Sequence, residues 1–187
     1  MEDVKDHTID DIEKKMKEMN TNLNKISYLE RIIKEKSFTL EVKRYILGQL
    51  SEFYEEQRMY MKAARAMTNK AGIEILTKDK IESYLSAAEL YAKLGNVDEA
   101  DQMFNVALRN TNQSQRTQIM LAKKNIFSEF ANKLDKQGKK ASAIKFYEKL
   151  IKMDLDLTER EDIKSKLKSR YTSLGLFREA KLLEGIK

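Results

Sequence analysis

The 187-residue chain has no cysteine, no proline and no tryptophan, and it holds only six glycines and one histidine. Each scarcity removes a class of chemistry. Without cysteine there is no disulfide, no thiol nucleophile and no cysteine-ligated zinc. Without proline nothing rigid interrupts the backbone, which favours an all-helical chain with short polar connections. The single histidine, His7, stands near the N-terminus with no ligand-type cluster around it, and serines such as Ser128 and Ser169 therefore lack a histidine base. Gly48, Gly72, Gly95, Gly138, Gly175 and Gly185 are too far apart to build a phosphate-cradling loop. Asp154 and Asp156 lack the glycine and terminal glutamate of a calcium loop. No catalytic, cofactor-binding or metal-binding residue is expected, and the chain reads as a non-enzyme. No apolar run reaches the length of a bilayer span, and the acidic start MEDVKDHTIDD has no apolar signal core. A cytoplasmic location is the expectation.

What is present is charge and helical rhythm. Charged residues make up 35% of the chain and the formal net charge is +6, with the basic excess concentrated in residues 139–187. Residues 8–36 carry Ile9, Ile12, Met16, Met19, Leu23, Ile26 and Ile33, a narrow stripe at helical spacing. Asn20-Thr21-Asn22 is poor helix material and can divide it in two. This N-terminal segment, residues 1–36, either packs on the rest of the chain or forms a dimerising coiled coil. From residue 37 onward the pattern is helix, short turn, helix, with helices near 39–56, 59–75, 79–94, 97–110, 114–136, 139–153, 159–174 and 176–185. Candidate caps are Ser37 or Thr39, Thr77, Thr111 or Asn112, and Thr158 paired with Glu161. No sustained alternation of period two predicts a strand.

One phrase recurs. Residues 84–107 read YLSAAELYAKLGNVDEADQMFNVA, with weaker copies at 127–150 and 167–183. Each holds a glycine and, five residues later, an alanine: Gly95/Ala100, Gly138/Ala143 and Gly175/Ala180. Upstream, Leu47, Leu50, Ser51, Tyr54, Ala63 and Met67 fit the same frame, with Arg58 in place of the glycine. Within the first copy, Tyr84, Ala87, Ala88, Tyr91, Gly95, Ala100, Phe104 and Ala107 resemble a tetratricopeptide repeat. Small residues let two helices approach, and aromatics fill the space towards the next hairpin. The repeats are longer and less regular than that family's unit and lack its closing proline, which resembles the helical-hairpin arrays of the soluble attachment proteins of vesicle fusion. The resemblance implies an all-α, right-handed α-α superhelix of about four hairpins over residues 37–187. Tyr84, Tyr91, Phe104, Phe127, Tyr147 and Tyr171 fall on packing positions, whereas Tyr60, Phe130, Phe146 and Phe177 lie off the frame.

The resemblance also implies that the first helix of each hairpin lines a concave groove for another protein. The groove residues read on that basis are Gln49, Glu52, Glu56, Glu82, Leu85, Glu89, Asn125, Glu129 and Asn132. Such a surface is acidic over its first three hairpins although the chain is basic, and it suits a basic peptide or helix. Relatives that hold chaperone carboxyl termini need cations and amides where this chain has Leu85, Glu89 and Glu129. The second helices carry the cations, among them Lys62, Arg65 and Lys70. The competing reading is RNA or ribosome binding through Lys139, Lys140, Lys145, Lys149 and Lys152. Leu176, Phe177, Leu182, Leu183 and Ile186 make the last helix apolar for an end, so the N-terminal segment, a second copy or a partner is expected to cover it. A homodimer through either terminus is thus a further expectation.

Overall fold

The computed structural model describes residues 8–34, 38–109 and 111–185. Among them are ten α-helices and no strand: α1 (Ile9–Lys17), α2 (Asn22–Ile32), α3 (Leu40–Glu56), α4 (Tyr60–Ile73), α5 (Thr77–Lys93), α6 (Val97–Arg109), α7 (Gln113–Lys136), α8 (Lys140–Leu150), α9 (Leu157–Ser173) and α10 (Phe177–Leu182). No helix among the described residues is long and apolar enough to cross a membrane. His7, Ser37 and Ile186 lie outside the described residues.

The N-terminal stripe does divide at the polar run. Thr8 caps α1 by accepting the amide of Asp11, and Thr21 caps α2 by accepting that of Asn24. Thr39 caps α3, and Asn112 opens α7 in a capping box with Gln115. Two caps differ from expectation. Thr77 is the first residue of α5 rather than its cap, because that helix begins earlier, behind Leu76. The box before α9 is Asp156 with Glu159, not Thr158 with Glu161: the Asp156 carboxylate accepts the Glu159 amide at 2.8 Å and the Glu159 side chain reaches back. An aspartate two residues upstream of Thr158 takes the free Glu159 amide and draws the helix start with it.

Three helix ends share one device. The residues at the glycine frame have positive φ: Arg58 at 56°, Gly95 at 78°, Gly138 at 75° and Gly175 at 75°. Around Arg58, Gly138 and Gly175 the backbone makes the paired bonds of a Schellman turn. The outer bonds run from the amides of Met59, Lys139 and Leu176 to the carbonyls of Tyr54, Leu134 and Tyr171 at 2.7, 2.9 and 2.9 Å. The inner ones run from Arg58, Gly138 and Gly175 to Glu55, Asp135 and Thr172. The next helix then starts at once, antiparallel. An arginine can take the left-handed turn, but a Cβ makes it costlier than for glycine.

The chain forms two compact units, α1–α6 and α7–α10, with Gly95–Val97 grouped with the second. In the first, α2 packs on α3, α3 on α4 and α4 on α5. Ile12, Leu29, Ile32, Ile46 and Phe104 are fully buried there, as are Ala63, Ala64, Ala87, Ala88 and Ala100. The small residues sit where helices meet closely, as the repeat phrase requires. The stripe residues Ile12, Met16 and Ile26 are buried within this unit, whereas Leu23 is exposed.

In the second unit α7 packs on α8, α8 on α9 and α9 on α10. Phe127, Phe146, Tyr147, Leu150 and Leu167 are buried there. Phe130 and Phe146, off the repeat frame, are nonetheless core. Phe146 meets Phe127 edge-on at 5.5 Å between centroids and stacks with Phe130 at 6.3 Å. Phe177 and Leu182 on α10 are about two-thirds exposed, while Leu183 is buried.

Candidate functional site

Within the first unit a groove of about 320 Å³ runs between α3 and α5, floored by α4. Gly48, Ser51, Glu52 and Glu55 line it from α3, and Ser86, Glu89, Leu90 and Lys93 from α5. Each set recurs every three or four residues and so occupies one helix face. Met67 and Lys70 of α4 form the floor. Gly48 leaves ordinary contact space over the floor, since a Cβ there would lie 4.0 Å from the Lys70 Nζ.

The groove's cations are held by carboxylates. Lys93 pairs with Glu55 at 2.5 Å and with Glu89 at 3.2 Å. Burial works against the charge of Lys93, but these two partners outweigh it and hold its pKa above the ordinary lysine value. Lys70 lies 3.8 Å from buried Glu74, which Arg44 approaches to 3.5 Å from the other side. Lys70 was expected among cations on the far side of the second helices, yet α4 turns it into the floor of this groove. Glu52 is exposed and accepts the Gln49 amide at 3.1 Å. Glu55 and Glu89 keep roughly half their side-chain surface in solvent. The groove therefore presents three carboxylates and two ammonium groups, and the ammonium groups are already engaged.

Of the residues read as groove-forming, Glu52 and Glu89 face each other across this space, and Gln49 supports Glu52. Glu56 is exposed at the end of α3, bonded by the Asn22 side chain. Glu82 is exposed and Leu85 half-buried on α5, outside the lining. Asn125, Glu129 and Asn132 are exposed on α7, in the second unit.

That unit has its own, smaller groove of about 190 Å³ between α7 and α9, floored by Tyr147 and Leu150 of α8. Asn132 lines it; Asn125 and Glu129 do not. Its charges are mixed rather than acidic. Lys124 pairs with Glu159 at 2.6 Å and Lys166 with Asp162 at 2.7 Å. The buried Tyr147 hydroxyl donates to Asn132 at 3.0 Å and to Asp135 at 3.4 Å. Burial, then the charge of Asp135, pushes this phenol up to about 12. Arg170 closes on Asp135 with two bonds of 2.6 Å and holds that carboxyl below its ordinary value.

On and beside α8, Lys139, Lys145 and Lys152 are exposed, and Lys140 and Lys149 are half-buried. Lys149 has a polar or electrostatic partner within the chain.

A tetratricopeptide repeat model matches residues 81–113 and 131–157. The first match contains α6 and most of α5; the second contains the end of α7 and all of α8. No curated protein sequence matches the chain. Over those residues the chain carries tetratricopeptide-repeat-like helical hairpins, and repeats of this kind generally mediate protein–protein interaction.

Proposed function

We propose that the chain is a non-enzymatic adaptor whose α3–α5 groove takes a basic peptide or helix of a partner protein. The observation that carries this is the state of the groove's charges. Lys93 is fixed by Glu55 and Glu89, and Lys70 by Glu74, so Glu52 and the outer faces of Glu55 and Glu89 are what an incoming chain meets. Glu56 and Glu82 extend the negative potential along the same two helices. A net-basic protein with a local acidic groove can steer a cationic segment to that groove and repel it elsewhere.

The hydroxyl of Ser86 and the apolar surface of Met67 and Leu90 complete a lining that mixes apolar contact with a polar anchor. Ser51 spends its own hydroxyl on the Ala63 carbonyl at 3.2 Å, which ties α3 to α4 and stiffens the floor.

A labelled Lys/Arg-rich peptide titrated into the full chain tests this proposal. The double substitution Glu52→Gln with Glu89→Gln is expected to weaken binding about tenfold or more at low salt. Unchanged affinity removes the groove as the site. A gel shift with a homopolymeric RNA, repeated with Lys145→Glu and Lys152→Glu, decides the nucleic-acid alternative.

A further inference from the structure

The first unit carries a second groove, of the opposite character. It measures about 460 Å³ and lies over α3 between the end of α2 and α4. Its floor is Leu47 and Leu50 of α3 with Ala66 of α4, and its rim carries Lys34, Lys62 and Arg65. All three cations are exposed, whereas the floor residues are buried. Helix periodicity makes the two grooves separate. Gly48, Ser51, Glu52 and Glu55 point α3 into the acidic groove, and Leu47, Leu50 and Tyr54 into this one. Likewise Met67 and Lys70 of α4 serve the first groove, while Lys62, Arg65, Ala66 and Asn69 form the face towards the second.

We infer that this α2–α3–α4 groove is a second docking site, for an acidic segment that carries an aliphatic side chain between its carboxylates. Charge complementarity selects the occupant: three cations surround an apolar floor, with one anion, Glu30, at the edge. Glu30 is already engaged. It accepts the Tyr54 hydroxyl and pairs with Lys62 at 3.0 Å. Arg65 presents a planar fork suited to a carboxylate, and the Asn69 amide beside it can bond a backbone. A leucine or isoleucine of the partner would rest on Leu47, Leu50 and Ala66. An incoming carboxylate would share Lys62 with Glu30. Nucleic acid fits this site less well. The only aromatic in the lining, Tyr54, has its ring under the Lys62 ammonium at 5.2 Å and its hydroxyl on Glu30, so it has no open face for a base.

The test uses the full chain and a short fluorescein-labelled peptide in which leucines are flanked by glutamates. Anisotropy is expected to show saturable binding that weakens about tenfold with Arg65→Glu or Lys34→Glu, and not with Glu52→Gln plus Glu89→Gln. Both cationic positions are exposed, and circular dichroism melts check that the charge reversals leave the fold unchanged. The inference is overturned if the peptide fails to bind or if both reversals leave its affinity unaltered. It is also overturned if homopolymeric RNA binds the same cations more tightly than the peptide. Light scattering that shows a dimer dissolved by Arg65→Glu would instead assign the groove to a second copy and overturn the peptide reading.

Discussion

At the scale of the residue, tyrosine–carboxylate pairs join one helix to another. Tyr45 donates to Glu13, Tyr54 to Glu30, Tyr147 to Asp135 and Tyr171 to Glu148. Burial, reinforced by the neighbouring carboxylates, pushes Tyr45 and Tyr147 up to about 12 and raises Tyr54 and Tyr171 further. The folded state therefore keeps these phenol protons when an unfolded chain would release them. The resulting stability is present below the ordinary phenol value of 10.0 and is lost as pH rises through the folded values. Alkaline titration followed by phenolate absorbance should show these tyrosines ionising together with loss of helix. Ionisation at ordinary pH with the helix intact would contradict the pairing. On the acid side, the Tyr54 hydroxyl holds Glu30 low and Arg170 holds Asp135 low. Their contribution is complete above the ordinary values of 4.5 and 3.8 and is lost as pH falls through the folded ones. Arg58 offers a simpler test. It occupies a left-handed turn at φ 56° that glycine holds in the other repeats, so Arg58→Gly should raise stability by up to about 1 kcal/mol. Gly138→Ala should lower stability by a similar amount, through backbone strain alone, because no atom lies within 4 Å of the added Cβ. Denaturant unfolding reads both.

At the scale of the element, the helices follow from local signals that mostly agree with one another. Asn112 and Asp156 each close a capping box, and replacing either with alanine should cost about 1 kcal/mol. The glycine–alanine frame located the hairpin turns directly, because a left-handed turn and a close helix contact each demand one residue type. The aromatic layer around Phe146 was not legible in the same way. It depends on Phe127 and Phe130 of α7 both reaching the Phe146 ring of α8, a tertiary fact that a repeat register does not contain. Phe146→Ala should therefore cost about 3–5 kcal/mol, comparable with loss of any core aromatic, when measured by thermal or urea unfolding. The capping of α5 and α9 escaped the sequence for a related reason. Threonine, aspartate and the preceding leucine are all tolerable near a helix start, and the bonds actually made decide among them.

At the scale of the whole molecule, the helical-repeat architecture was readable from periodicity, small-residue spacing and the absence of proline. The division of charge was readable only in outline. An acidic face on the first helices is present in α3 and α5, but it contains the paired Lys93 and the upturned Lys70. On α7 and α9 the corresponding groove holds balanced pairs instead. Which long side chain turns into a groove depends on its partners in space, and Lys70 turns towards Glu74, a carboxylate that is buried at the end of its own helix. The central claim is that cationic partners seek the first unit's acidic groove on a protein whose net charge is +6. Titrating the isotope-labelled chain with a Lys/Arg-rich peptide, followed by nuclear magnetic resonance, tests it most directly. The account predicts shifts concentrated on Ser51, Glu52, Glu55, Ser86 and Glu89 that diminish as salt is added. Shifts that cluster elsewhere, or a peptide that leaves these amides unmoved, would contradict it.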